Sequence, residues 1–196
     1  MYTFDYDLFL WLNFDGGAFL DKVMLTISTP AFWAWLYLLL LYVVWRREGW
    51  RTALLFLVAM VLSIVVADMI AGIFKHTGLL GDVWASFPAR LRPMYTPELE
   101  GLVHYVKLGG QYGTVSAHAG TMTAVAVVAM GAIRSRWFGA LMVTTVLLVS
   151  YSRIYMGYHF PVDIVLGVLT GLVSGAVMLA IYKRIRRRYI LQRQKK

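Results

Sequence analysis

The chain has 196 residues, of which 60% are hydrophobic and 15% charged, with a mean hydropathy of +0.65. That length suits one domain and that apolar content excludes a water-soluble one, so the expected class is an all-α integral membrane protein. Cysteine is absent, which excludes disulfides, thiolate metal sites and thiol nucleophiles, and the net charge of +9 must be placed along the chain before it can be read.

The N-terminal stretch MYTFDYDLFLWLNFDGG begins with acidic residues and lacks a small-residue cleavage site, so it reads as mature protein rather than a signal peptide. Residues 4–14 place Phe4, Leu8, Trp11 and Leu12 on one helical face, with Asp5, Asp7 and Asn13 elsewhere. This segment is too short to span a bilayer, and its aromatics predict an interfacial helix; a short helix packed on the bundle is the alternative. Five apolar runs follow, at about 23–45, 52–75, 117–133, 137–152 and 161–182, each close to the roughly 20 residues that cross the hydrocarbon. Asp68 falls inside the second run, as a functional candidate or as the partner of a polar group on a neighbouring helix. The last run carries Gly167, Gly171 and Gly175 at four-residue spacing, a face suited to close helix packing.

Basic residues sort to one side of these runs: Arg46, Arg47 and Arg51 in one loop, Arg134 and Arg136 in another, and the tail 183–196, KRIRRRYILQRQKK. The positive-inside rule makes that side cytoplasmic, and an odd number of spans puts the N-terminus outside with Asp5, Asp7, Asp15 and Asp21. A basic run directly after a span is a topology anchor near anionic lipid, so no nucleic-acid partner is expected. The outside segments are then the N-terminus, the long loop 76–116 and the short loop 151–160.

The outer face also gathers the chemistry. In YSRIYMGYHFPVD, Pro161 suits the first turn of a helix, which places His159 at the helix mouth and Asp163 four residues on, on the same face, able to hold one ring nitrogen. Arg153 ends the preceding run, and the loop from Tyr155 to Tyr158 folds its fork back beside His159. GTVSAHAGT reads as a helix start capped by Ser116, an anion site from which His118 projects, and Arg92 before Pro93 supplies a second guanidinium. Clustered carboxylates for a magnesium mechanism are missing from these loops, which hold Asp82, Glu98 and Glu100 besides Asp163; no metal or other cofactor is expected.

These residues resemble the type 2 phosphatidic acid phosphatase family, which shares its core with vanadium haloperoxidases. Its third motif, Ser-Arg, five residues, His, three residues, Asp, is met in full by Ser152, Arg153, His159 and Asp163. Its second, Pro-Ser-Gly-His, is met as Val115, Ser116, Ala117 and His118, with Ala117 still offering a backbone N–H. Its first, Lys, six residues, Arg-Pro, keeps Arg92 and Pro93; Ala85 stands at the lysine position, and Lys75 fits if HTGLLGDVWA is an insertion. The resemblance covers about residues 60–175 and implies a metal-independent phosphohydrolase. It further implies that His159 attacks phosphorus to give a phosphohistidine, Asp163 orients it, and His118 protonates the leaving oxygen. Arg92, Arg153, Ser116, Ala117 and Lys75 would hold the phosphate. A site at the outer leaflet of a bacterial inner membrane implies an amphiphilic phosphate: undecaprenyl diphosphate first, then lipid A, then phosphatidylglycerophosphate or phosphatidate. A lipid transporter would spread its polar groups across the membrane, whereas these gather at one face.

Overall fold

The structure, a computed structural model, describes the backbone of residues 2–193 and the side chains of residues 4–189. Seven α-helices are described: α1 Tyr2–Leu12, α2 Gly17–Ser28, α3 Ala34–Glu48, α4 Trp50–Ile73, α5 Ala117–Ile133, α6 Arg136–Tyr155 and α7 Pro161–Arg193. A 3-10 turn, Pro30–Trp33, leads into α3, and no strand occurs among the described residues.

Helix α4 shows why these segments suit lipid. Its inward positions include Phe56, Ala59, Met60, Ser63, Ala67 and Ala71, while Val58, Val61, Leu62 and Val65 are exposed, so apolar side chains face outward as well as inward. Helices α4, α6 and α7 are each long and apolar enough to cross a membrane. Helix α5 has 17 residues, roughly 25 Å, and still runs the full height of the bundle. At its head the Ser116 N–H donates to the Asp163 carbonyl at the start of α7, and at its foot the Ile133 carbonyl accepts from Arg47 of α3. It is the central helix, lined with buried Ala119, Ala124, Val125, Val128 and Ala129, and it packs against α4, α6 and α7.

The contact with α7 is the tightest. A Cβ on Gly167 would collide with the Ser116 carbonyl, one on Gly171 with the Gly120 carbonyl, and one on Gly175 would lie 2.9 Å from the Ala124 carbonyl. The glycine face expected from the sequence therefore lets the two backbones touch, and it fixes the head of α5 beside the head of α7.

One expectation needs correction. The run 23–45 is not one helix: α2 ends at Ser28, Thr29 is extended, and the segment beginning at Pro30 is bent 67° from α2. Helix α2 reaches the head end of the bundle, where Asp21 accepts from Tyr155 at the end of α6 and Ser28 bonds Arg153, and it is long and apolar enough to cross only together with the bent segment from Pro30. Apolar length registers the segment but not the turn that proline imposes. Helix α7 also carries the basic tail as helix as far as Arg193. Helix α7 runs 33 residues, roughly 50 Å against a hydrocarbon core of about 30 Å, and Arg186 forks onto Glu48 at 2.5 and 2.7 Å; residues 194–196 lie outside the described residues.

The N-terminal helix expected over 4–14 is α1, and it has both anticipated characters. Phe4 and Trp11 are exposed, yet Phe9 is fully buried with its ring 5.2 Å from that of Phe160. Asn13 then moors the segment, donating to the carbonyls of His104, Ile154 and Tyr155 and accepting from the His104 N–H.

Candidate active site

The residues at the head of the bundle come from five segments. The end of α4 delivers Lys75, the long loop Arg90 and Arg92, the start of α5 Ser116, Ala117 and His118, the last turn of α6 Arg153, and the mouth of α7 His159 and Asp163. The loop is ordered by an antiparallel bridge between Leu91 and Tyr112: Arg92 N–H donates to Gln111 O, and Gly113 N–H to Arg90 O, both at 2.9 Å. This pins both arginines opposite the residues that lead into α5.

His159 is 2% exposed, and its Nδ1 lies 2.8 Å from the Gly113 carbonyl. A carbonyl can only accept, so Nδ1 carries the proton and Nε2 keeps its lone pair. Gly113 is required for this approach, because a Cβ there would lie 2.8 Å from Arg92 Cγ and 3.4 Å from His159 Nδ1. The sequence predicts that Asp163 holds the imidazole. In the structure the Gly113 carbonyl takes that place, and Asp163 Oδ2 stands 3.5 Å from Nδ1 while accepting the Phe160 N–H at 3.0 Å. Asp163 thus caps α7 and stands beside the ring edge.

Ser116 is the cap expected for α5, its Oγ accepting from Ala119 N at 3.4 Å. Ala117 and His118 occupy the first turn, where helical N–H groups lack intrahelical carbonyls and attract anions.

Three cations surround the histidines. Arg92 Nε donates to Tyr112 O, Arg153 Nη1 to Ser28 Oγ, and their guanidiniums lie 5.3 and 4.2 Å from the centre of the Tyr158 ring. Lys75 is buried and close enough for Arg92, Arg153, Asp68 and Asp163 to act on its charge, which is also felt at His118 and His159. The structure places Lys75, Arg92, Ser116, Ala117, His118, Arg153, His159 and Asp163 at the same end of the bundle. Asp68 itself is exposed on α4 and acts on Lys75 from there.

Burial first, then the field of Arg92, lowers the Lys75 ammonium to about 8. Burial followed by the charges of Arg153, Arg92 and Lys75 holds the His159 imidazole well below its usual range, so it is neutral. Among the described residues none of the three cations has a carboxylate within ion-pair distance. Beside them a cavity of about 310 Å³, lined by Arg92, Arg153, Ser28, Pro30, Lys107 and Tyr158, opens along the bend between α2 and α3. The arrangement is a largely buried cationic cradle around a neutral imidazole whose Nε2 keeps its lone pair.

Sequence reasoning missed Tyr158, Gly113 and Arg90. Tyr158 was legible only as one aromatic of a loop, and its place between two guanidiniums arises from folding. Asp15, Asp21 and His104 offer ligand atoms within 4.8 Å of one another. They lie away from the cradle and are engaged in hydrogen bonds, His104 Nε2 to Asp21 at 2.9 Å and Tyr155 O–H to Asp21 at 2.7 Å.

The family described as the PAP2 superfamily matches residues 56–187. A lipid A 4'-phosphatase of Porphyromonas gingivalis is 29% identical over 94% of this chain and 75% of its own length; one of Bacteroides thetaiotaomicron is 31% identical over 87% and 73%. An undecaprenyl-diphosphatase of Sulfolobus acidocaldarius is 26% identical over 86% and 73%. In fold, the chain resembles a transmembrane PAP2-type phosphatidylglycerolphosphate phosphatase from Bacillus subtilis, with a TM-score of 0.64, 17% identity, and coverage of 95% of this chain and 86% of that one.

Proposed function

The chain belongs to the PAP2 superfamily and is a membrane lipid phosphatase, and from that premise we propose that it releases phosphate through a phosphohistidine on His159. The observation that carries this reading is the cradle: Lys75, Arg92 and Arg153 without an anionic partner among the described residues, around a neutral His159 with its proton on Nδ1. A phosphate dianion supplies the missing counter-charge.

In the first step His159 Nε2 attacks phosphorus as the bond to the lipid oxygen breaks, and His118, kept protonated by the bound phosphate dianion, gives that oxygen its proton. In the second, water attacks the phosphohistidine while His118 takes its proton back; the N–P bond breaks and phosphate leaves. The ring becomes positive on attack, and Asp163 at 3.5 Å offsets that charge. Lys75, Arg92, Arg153 and the N–H groups of Ala117 and His118 stabilise the equatorial oxygens, where most of the rate acceleration in phosphoryl transfer arises. No residue of the cradle calls for a metal.

For the substrate, the relatives favour a phosphorylated lipid A over the undecaprenyl diphosphate that the sequence ranks first. The two lipid A 4'-phosphatases are the more similar, and the undecaprenyl-diphosphatase supports the second reading. Phosphate release by the purified protein from lipid A, undecaprenyl diphosphate and phosphatidylglycerophosphate decides between them. The expected order of kcat/KM puts lipid A first; a higher value for undecaprenyl diphosphate overturns that assignment. The cradle sits opposite the ends that carry Arg47, Arg134 and Arg186, which supports a bacterial inner-membrane orientation with the site facing the periplasm.

A further inference from the structure

Asp163 does not stand alone beside the nucleophile. Arg90 Nη1 lies 3.5 Å from Asp163 Oδ1 and 2.6 Å from Asp5 Oδ2. The other oxygen of Asp5 accepts from the Val162 N–H at 3.1 Å, so a carboxylate on α1 caps the first turn of α7. Asp5 is buried, and the Arg90 guanidinium lies 3.7 Å from the centre of the Phe160 ring. The Arg90 main chain is bound on both sides, its N–H to Thr114 Oγ1 at 2.8 Å and its carbonyl to the Gly113 N–H at 2.9 Å. One arginine thus joins α1, the long loop, the glycine that holds His159 and the head of α7.

We infer that Asp5 and Arg90 are positioning residues for phosphoryl transfer, Arg90 holding Asp163 toward His159 and Asp5 fixing Arg90 to the head of α7. The inference rests on His159 as the nucleophile. Attack through Nε2 leaves positive charge on the ring, and a carboxylate nearby offsets it only while it stays ionised. A buried carboxylate without a counter-charge does not. Losing Asp5 frees Arg90 from its seat and uncaps α7. The effect belongs to kcat rather than KM, because neither side chain belongs to the phosphate cradle. Asp5 also lies outside the matched residues 56–187, so the family match alone does not reveal it.

The test uses the full-length purified protein with the phosphorylated lipid it turns over best. In Asp5→Asn and Arg90→Gln, kcat is expected to fall about 10- to 100-fold, as on removing a partner that orients a functional histidine. KM should stay within about twofold. Arg90→Lys should recover part of the loss. In an Asp163→Asn background the same changes should cost less than about threefold, because the coupling runs through Asp163. Fully additive losses, or a change in KM alone, overturn the inference. If Arg90→Gln does not fold, Asp5→Asn and Arg90→Lys carry the test. A readout free of turnover is the ¹⁵N resonance of the His159 ring, which should report an Nδ1-protonated tautomer in the parent and move in Asp5→Asn; an unmoved resonance also overturns it. A moved resonance with normal phosphohistidine formation in His159→Ala would instead defeat His159 as nucleophile and leave the positioning intact.

Discussion

His159 can attack phosphorus only while Nδ1 keeps its proton and Nε2 its lone pair, and the Gly113 carbonyl enforces both. His159→Ala should therefore abolish phosphate release while the protein keeps its thermal unfolding profile in detergent, and trapping with labelled substrate should leave no phosphoenzyme. His118→Ala should slow hydrolysis of lipid phosphates by about 10²- to 10⁴-fold, the usual scale of general acid catalysis. For an aryl phosphate, whose leaving group needs no proton, the loss should be much smaller; equal losses remove His118 from that role. Lys75 offers a pH test with a definite sign. Burial, with Arg92 beside it, lowers its ammonium to about 8, so the cradle loses a charge as pH rises through that value. The kcat/KM of the parent should fall above pH 8, and Lys75→Arg should carry the plateau to higher pH. An unmoved alkaline limb in Lys75→Arg assigns that limb to another group.

Among the elements, the pairing of α5 with α7 sets the geometry of the site, because His118 heads one helix and His159 precedes the other. Their backbones meet at Gly167 and Gly171, so side chains there must push the helices apart. Gly171→Val should cost about 1–3 kcal/mol by overpacking, measured as thermal stability in detergent. It should also lower kcat without touching a residue of the cradle. An active variant with unchanged stability would show that the close approach is dispensable. Helix α2 plays a different part: bent from the segment that begins at Pro30, it brings Ser28 to Arg153 and one wall of the cavity to the cradle.

At the scale of the whole molecule, all the candidate chemistry lies at one end and the arginine-rich turns at the other. Single cysteines in place of Glu98 and Arg188, in a chain with none of its own, should react oppositely with an impermeant thiol reagent on intact spheroplasts. Position 98 should label and position 188 should not; the reverse would invert the orientation and exclude outer-leaflet lipids as substrates. Activity should survive excess EDTA, and vanadate, which mimics the five-coordinate phosphorus, should inhibit. Loss on chelation with recovery on added magnesium would defeat the metal-free mechanism.

Apolar length and charge placement were enough, from the sequence alone, for the membrane class, the apolar helices α4 to α7 and the end at which the chemistry gathers, since these follow from composition along a line. The spacing of Ser152, Arg153, His159 and Asp163 was legible for the same reason: it lies within one helix end, one short loop and one first turn. Lys75 was uncertain in sequence because a long loop separates it from Arg92, and only folding sets both charges against the same histidines. Tertiary structure alone decided who holds His159. Asp163 has the right register on α7, but the Gly113 carbonyl arrives from 46 residues away and takes Nδ1 first. It also decided the fate of Asp5, an acidic residue on an interfacial helix by sequence, which through-space packing of α1 turns into the cap of α7 and the seat of Arg90. Local patterns fix what a helix can be, whereas a hydrogen bond between distant segments exists only once the chain has closed on itself.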